Sequence, residues 1–199
     1  DDRLALHRGV YDRIVRDFCA GNPFGVKLIT HSDAPPGSGL GASSTLVVAM
    51  LHAFVEALNL PLGEYELAHL AYDIERVDLR LAGGKQDQYS ASFGGVNFME
   101  FGGHGNVLVN PLRIKPWIVS ELESSLLLFF TGVSRESARI IDQQVRNVRD
   151  GARNPIDALL SVKDEALRMK AALLKGDFGA FVDSMRSSWE SKKQTASSV

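Results

Sequence analysis

The run Pro35-Pro36-Gly37-Ser38-Gly39-Leu40-Gly41-Ala42-Ser43-Ser44-Thr45 constrains this chain more than any other stretch. It separates an apolar, strand-like segment (Val26 to Ile29) from a helix-like one (Thr45 to Leu58). Three glycines at alternate positions remove side chains where a backbone must approach a ligand closely. A helix that follows such a loop offers unpaired N–H groups and the positive end of its dipole. Ser43, Ser44 and Thr45 add hydroxyls at that end. Together these features predict an anion cradle, with phosphate as the anion. A plain strand-to-helix turn does not need three glycines and three hydroxyls.

Several phosphate loops share this style. A Walker A loop needs a Lys before its Ser/Thr, but Ala42 precedes Ser43 and no Lys lies nearby. Gly37-x-Gly39-x-x-Ala42 satisfies the relaxed dinucleotide fingerprint, which also requires a second strand ending in an acid. Beyond Leu58 the chain instead reads Pro61-Leu62-Gly63-Glu64 and then a further helical pattern. A protein-kinase glycine loop needs His-Arg-Asp and Asp-Phe-Gly partners, and neither tripeptide occurs.

The 199 residues, 45% of them hydrophobic, suit one domain or two small ones with a sizeable core. A net charge of −2 without a dominant basic patch gives no reason to expect nucleic acid. The single cysteine, Cys19, cannot form an internal disulfide, which favours a reducing, cytoplasmic setting. His7, His31, His52, His69 and His104 are scattered without metal-ligand spacing. No run reaches transmembrane length, so no membrane association is expected. The chain opens at Asp1 without an initiating Met and stops at Ser197-Ser198-Val199, which reads as a piece of a longer protein.

Apolar spacing predicts helices over Leu4–Phe18, Thr45–Leu58, Tyr65–Leu81, Asp87–Ser92, Arg135–Arg149, Pro155–Lys175 and Phe178–Ser191. Strands are expected over Phe24–His31, Val96–Phe101, Val107–Ile114 and Ser125–Thr131, the middle two joined by a Gly-Gly-His-Gly-Asn turn. The fold class from pattern is α+β.

Pro-x-Gly-x-Gly-Leu-Gly-x-Ser-Ser resembles the ATP-binding motif of the GHMP kinases, a family that includes galactokinase, homoserine kinase and mevalonate kinase. Ala42 departs from it, standing where many members have the first of two serines. Gly83-Gly84-Lys85-Gln86-Asp87-Gln88-Tyr89 is similar to the Gly-x-x-Asp-Gln segment carrying the catalytic aspartate in galactokinase-like members. Two such motifs in order, about 40 residues apart, are more specific than either alone. The resemblance covers nearly the whole chain but only the middle of the family. It implies the GHMP kinase fold, with a ribosomal-protein-S5-like N-terminal half (residues 1–118), a ferredoxin-like C-terminal half (119–199) and terminal segments missing.

It also implies ATP and Mg²⁺ as cofactors. Pro36, Gly37, Ser38, Gly39, Leu40, Gly41, Ala42, Ser43 and Ser44 would hold the nucleotide, the hydroxyls alternatively serving only as helix caps. Ser43 aligns with the metal-contacting serine. Glu75 resembles the metal-binding glutamate, although its spacing to Asp87 is about one residue longer than in some relatives; Asp73 is the substitute. Asp87 would take or orient the proton of the attacking hydroxyl, or else cap its helix. Lys85 would assist Asp87, contact phosphate, or lie in solvent. Arg135 and Ser137, after Thr131-Gly132, would bind a substrate phosphate through the guanidinium fork, with a surface arginine as the alternative. Lys192 and Lys193 face either the site or solvent. The branch resembled is that of sugar-phosphate kinases, acting on heptose 7-phosphate, or on fucose in the related kinases. A small-molecule sugar phosphate is therefore the expected partner, and a homodimer is left open. Another kinase of the family and a non-catalytic nucleotide- or sugar-binding member remain as alternatives.

Overall fold

The computed structural model describes residues 4–35, 37–129 and 137–196. They divide into two compact units, the first running up to Met99 and the second beginning at Glu100.

The first unit is helical. Its helices are α1 (Ala5–Phe18), α2 (Ala42–Leu58), α3 (Glu64–Asp73) and α4 (Gln86–Phe93). Its core comes from one stripe on each of three helices: Val10 and Ile14 on α1; Val47, Met50, Leu51 and Phe54 on α2; Leu67, Leu70 and Ala71 on α3. Burying each Val, Leu or Ile side chain contributes roughly 1.5–3 kcal/mol relative to exposure. The α3 chain continues into a π-turn, Ile74–Asp78, closed by Leu79 N–H donating to Ile74 O at 2.9 Å. Arg13 clamps this turn from α1, reaching Asp73 at 3.4 Å and Asp78 at 2.9 Å. The expected helix over Tyr65–Leu81 is thus α-helical only in its first part. The α2 helix begins three residues before the expected Thr45.

Residues 24–31 do not form the expected strand. A strand needs a ladder partner, and here the Tyr11 hydroxyl takes that place at Phe24, donating to its carbonyl at 2.7 Å and accepting from its N–H at 3.0 Å. His7 Nε2 and Thr30 Oγ1, 2.9 Å apart, make a second tie to α1. The Phe24 ring packs between Tyr11 and Phe54, with centroids 5.5 and 6.1 Å away.

A hairpin of β1 (Asn97–Phe101) and β2 (Val107–Pro111) carries the chain into the second unit and is the sheet found among the described residues. The turn between its strands contains one 3₁₀ turn, Gly103–Gly105. Both strands are shorter than expected, the second ending at Pro111, which has no N–H to extend a ladder. Helices α5 (Pro116–Ser125), α6 (Ser137–Arg149), α7 (Arg153–Lys175) and α8 (Phe178–Lys193) complete the second unit. The strand expected over Ser125–Thr131 is absent as far as Phe129, and Phe130 and Thr131 lie outside the described residues. Leu127, Leu128 and Phe129 are instead about four-fifths exposed. Among the described residues, no helix is long and apolar enough to cross a membrane.

Polar ties hold α7 to α8: Ser191 Oγ donates to Ser161 Oγ at 3.1 Å, and a second tie centres on Glu165. The Glu165 carboxylate, 2% exposed, accepts from Ser187 Oγ at 2.9 Å and pairs with Arg168 at 2.6 Å. The hydroxyls of Ser184 and Ser187, and then Arg168, hold its carboxyl below the ordinary glutamate value against the opposing pull of burial. The folded state therefore binds this proton less readily than the unfolded state. The resulting stabilisation is present above the unfolded value of about 4.3 and is lost as pH falls through the lower folded value. Melting curves between neutral and acid pH should show wild type losing more stability than Glu165→Gln. Equal pH slopes would remove Glu165 from the acid response.

Candidate active site

The glycine loop takes the conformation its composition demands. Gly37, Gly39 and Gly41 have φ of 73°, 79° and 71°, the left-handed region that side chains disfavour. Gly41 is the N-cap of α2 and has no side chain to cap with. Ser43, Ser44 and Thr45 therefore lie inside the first turn, and the capping alternative for these hydroxyls does not describe the structure. The open N–H groups of the α2 terminus face the loop end of the helix. Ser38 Oγ is sealed from solvent without a partner, a polar atom in the loop still free to bond. Leu40 is largely exposed. Pro36 lies outside the described residues.

The two serines diverge. Ser43, on the surface, donates to Glu75 Oε1 at 3.4 Å. Ser44 is buried, and its Oγ accepts from Gln88 Nε2 at 3.1 Å. Glu75 itself is wholly buried, although it sits one residue into the π-turn. Such turns are frequent at functional sites, because widening the helix re-aims one side chain. Gln88 Nε2 also donates to Glu75 Oε2, at 2.5 Å.

Asp87 and Gln88 sit on the first turn of α4. Lys85 occupies the N-cap position and no side-chain cap bond forms there, so Asp87 is inside the helix rather than capping it. The exposed Asp87 carboxylate lies against the glycine loop: a Cβ at Gly41 would stand 3.1 Å from Asp87 Cγ. Tyr65 anchors α4 to α3 through Phe93 and Tyr89, with ring centroids 4.7 and 6.3 Å away. The loop between Glu75 and Asp87 is held by Arg76, which donates to the carbonyls of Leu81, Ala82 and Gly84 at 3.3–3.4 Å. A Cβ at Gly83 would fall on that guanidinium.

The structure thus brings Gly41, Ser43, Ser44, Glu75, Asp87 and Gln88 together in the first unit. Asp73, the substitute metal ligand, is occupied by Arg13 at 3.4 Å. Lys85 places its ammonium 4.8 Å from the centroid of the Tyr72 ring. Arg135 lies outside the described residues; Ser137 opens α6 in the second unit. Lys193 pairs with Glu190 at 2.7 Å, and Lys192 lies in the last turn of α8. Sequence reasoning passed over Gln88 as a site residue, and its neutral side chain carries no charge signal to mark it.

The donor set suits a hard cation. Two oxygens, Ser43 Oγ and Glu75 Oε1, lie 3.4 Å apart. Neighbouring ligands on octahedral Mg²⁺, each at about 2.1 Å, are about 3 Å apart. A buried carboxylate also calls for positive charge, and the Arg76 guanidinium is 4.0 Å from Glu75 Oε1.

Comparison with known proteins decides the family. Residues 5–95 match the model of the GHMP kinases N terminal domain. This region is a GHMP kinase N-terminal domain. The chain is 50% identical over 193 residues to D-glycero-alpha-D-manno-heptose 7-phosphate kinase of Campylobacter jejuni, covering 97% of this chain and 56% of that protein. It is 29% identical over 181 residues to L-fucokinase/L-fucose-1-P guanylyltransferase of Bacteroides fragilis, covering 90% of this chain and 18% of that protein. The crystal structure of a D-glycero-D-manno-heptose 1-phosphate kinase from Bacteroides thetaiotaomicron superposes with a TM-score of 0.81 at 50% identity, covering 95% of this chain and 55% of that one. The chain therefore spans about half the length of the heptose phosphate kinases it matches. The helix-rich α+β architecture is accordingly that of the GHMP kinase fold.

Proposed function

We propose that the protein is an ATP-dependent sugar kinase. In this reading it transfers the γ-phosphoryl group of ATP to the anomeric hydroxyl of D-glycero-D-manno-heptose 7-phosphate, giving the 1,7-bisphosphate and ADP. The observation that carries this reading is one cluster: a left-handed glycine loop, the Ser43–Glu75 oxygen pair, and the Asp87 carboxylate against Gly41.

Phosphoryl transfer demands positioning and electrostatics more than covalent chemistry. The loop N–H groups and the α2 terminus hold the triphosphate, and Ser43 with Glu75 holds Mg²⁺. When bound, Mg²⁺ neutralises charge on the phosphates. The anomeric oxygen attacks the γ-phosphorus, the bond to the β–γ bridging oxygen breaks, and ADP leaves. Asp87 accepts or orients the hydroxyl proton; an anomeric hydroxyl is more acidic than an ordinary alcohol, so a carboxylate suffices. Lys85 stands two residues away, beside the same helix start. Arg135 and Ser137 are assigned to the substrate phosphate on the strength of their sequence context.

Support for a heptose phosphate comes from the two relatives at 50% identity, whose names place its phosphate differently, at position 7 and at position 1. The test offers MgATP with heptose 7-phosphate, fucose, galactose and mevalonate, follows ADP release, and locates the new phosphate by ³¹P NMR. Turnover confined to heptose 7-phosphate, with a new anomeric phosphate, is expected. Turnover with free fucose would move the protein to the fucokinase branch that the 29% relative represents. ATP binding with no turnover on any of these sugars would overturn the substrate assignment.

A further inference from the structure

Gln88 is fully buried, yet none of the roles above uses it. Its Nε2 donates to Glu75 Oε2 at 2.5 Å and to Ser44 Oγ at 3.1 Å. The other carboxylate oxygen, Glu75 Oε1, receives the Ser43 hydroxyl. Amide oxygen and nitrogen exchange places by a rotation, but the reverse orientation would set an acceptor against a buried carboxylate. The donor must face Glu75. In that orientation Gln88 Oε1 is sealed from solvent with no partner. An orphaned buried acceptor is destabilising, and a methionine or leucine would fill similar space without it. Packing therefore does not explain a glutamine here; its donor does.

We propose that Gln88 is the positioning residue for Glu75. By holding Oε2 it fixes the carboxylate so that only Oε1 faces Ser43 and the glycine loop, offering the metal a single oxygen. This rests on the kinase reading of Ser43 and Glu75. Single-oxygen ligation matches Mg²⁺, which keeps octahedral geometry and several waters, whereas a freely turning carboxylate could chelate through both oxygens, as larger Ca²⁺ accepts. One helical turn of α4 thereby sets both the proton acceptor, Asp87, and the metal ligand.

The test is calorimetric titration of ADP into the protein as encoded, without metal and across a range of Mg²⁺ concentrations. Gln88→Met removes the donor and the orphan acceptor while nearly keeping volume; Gln88→Leu is the second variant if the first melts poorly. The metal-free ADP affinity of each variant serves as its own baseline, so that any loss through Ser44 is separated from the metal-dependent gain. The Mg²⁺ concentration giving half of the metal-dependent gain is expected to rise about tenfold, the scale seen when a ligand's hydrogen-bond partner is lost. Glu75→Gln, run alongside, is expected to abolish the gain. If Glu75→Gln retains it, the metal-site reading fails and this proposal with it. If Glu75→Gln abolishes the gain while both Gln88 variants match wild type, the kinase reading stands and the positioning role is overturned. A lower melting temperature without a change in the Mg²⁺ midpoint also overturns it.

Discussion

Replacing Asp87 by Asn is expected to lower kcat by about 10² or more, the typical contribution of a positioned proton acceptor. The substitution keeps the shape of the side chain and removes its negative charge and its capacity to take a proton. Asp87 is exposed on the first turn of α4, so the fold should survive the change. Nucleotide binding should also survive, because the left-handed glycine loop and the Ser43–Glu75 pair keep their places when Asn keeps the shape of the side chain. Steady-state kinetics beside ADP titration make the comparison. An unchanged kcat would sink the assignment of Asp87 as proton acceptor.

Gly41→Ala should also be damaging, for a different reason. At φ 71° an alanine carries a left-handed strain of about 1–2 kcal/mol. Its methyl would also meet Asp87 Cγ at 3.1 Å and push the carboxylate from the loop. A misplacement of about 1 Å at a reacting group can cost about 10²-fold; this contact asks the carboxylate to give by less than that, so kcat/KM should fall by up to about 10-fold. Gly39→Ala is the control: φ is 79°, but no atom of the described residues lies within 4 Å of its Cβ. The control should lose melting temperature to a similar extent and keep more of its turnover. Equal turnover in the two variants would show that closeness of Gly41 to Asp87 does not matter.

The sequence revealed most of the helices, because a buried stripe of Val, Leu and Ile at helical spacing reports on one element by itself. It misled where structure depends on a partner. The apolar runs at residues 24–31 and, as far as Phe129, 125–129 read as strands, but strand formation requires a second chain segment for the ladder, and no periodicity reveals that. At Phe24 the tyrosine hydroxyl of a helix took the role instead. Helix α5 went unseen although Pro116 is a fitting first residue, since only Ile118 of its ten residues is buried and the stripe is too thin to detect. In the site, glycines and acids were legible because their chemistry stands out in a sequence. Gln88 was not, since its importance comes from meeting Ser44 and Glu75, which are 44 and 13 positions away.

The π-turn that carries Glu75 bears on how chains of this kind are aligned. A wide turn holds one residue more than an α-turn while its flanking helix keeps its direction. Residue spacing between Glu75 and Asp87 can therefore differ by one between two proteins with no change in what meets at the site. In this chain the wide turn is Ile74–Asp78, under the clamp of Arg13, and it precedes the loop that Arg76 secures. Where two such chains differ by one residue in this interval, the turn as well as the glycines at 83 and 84 is a place to set the gap.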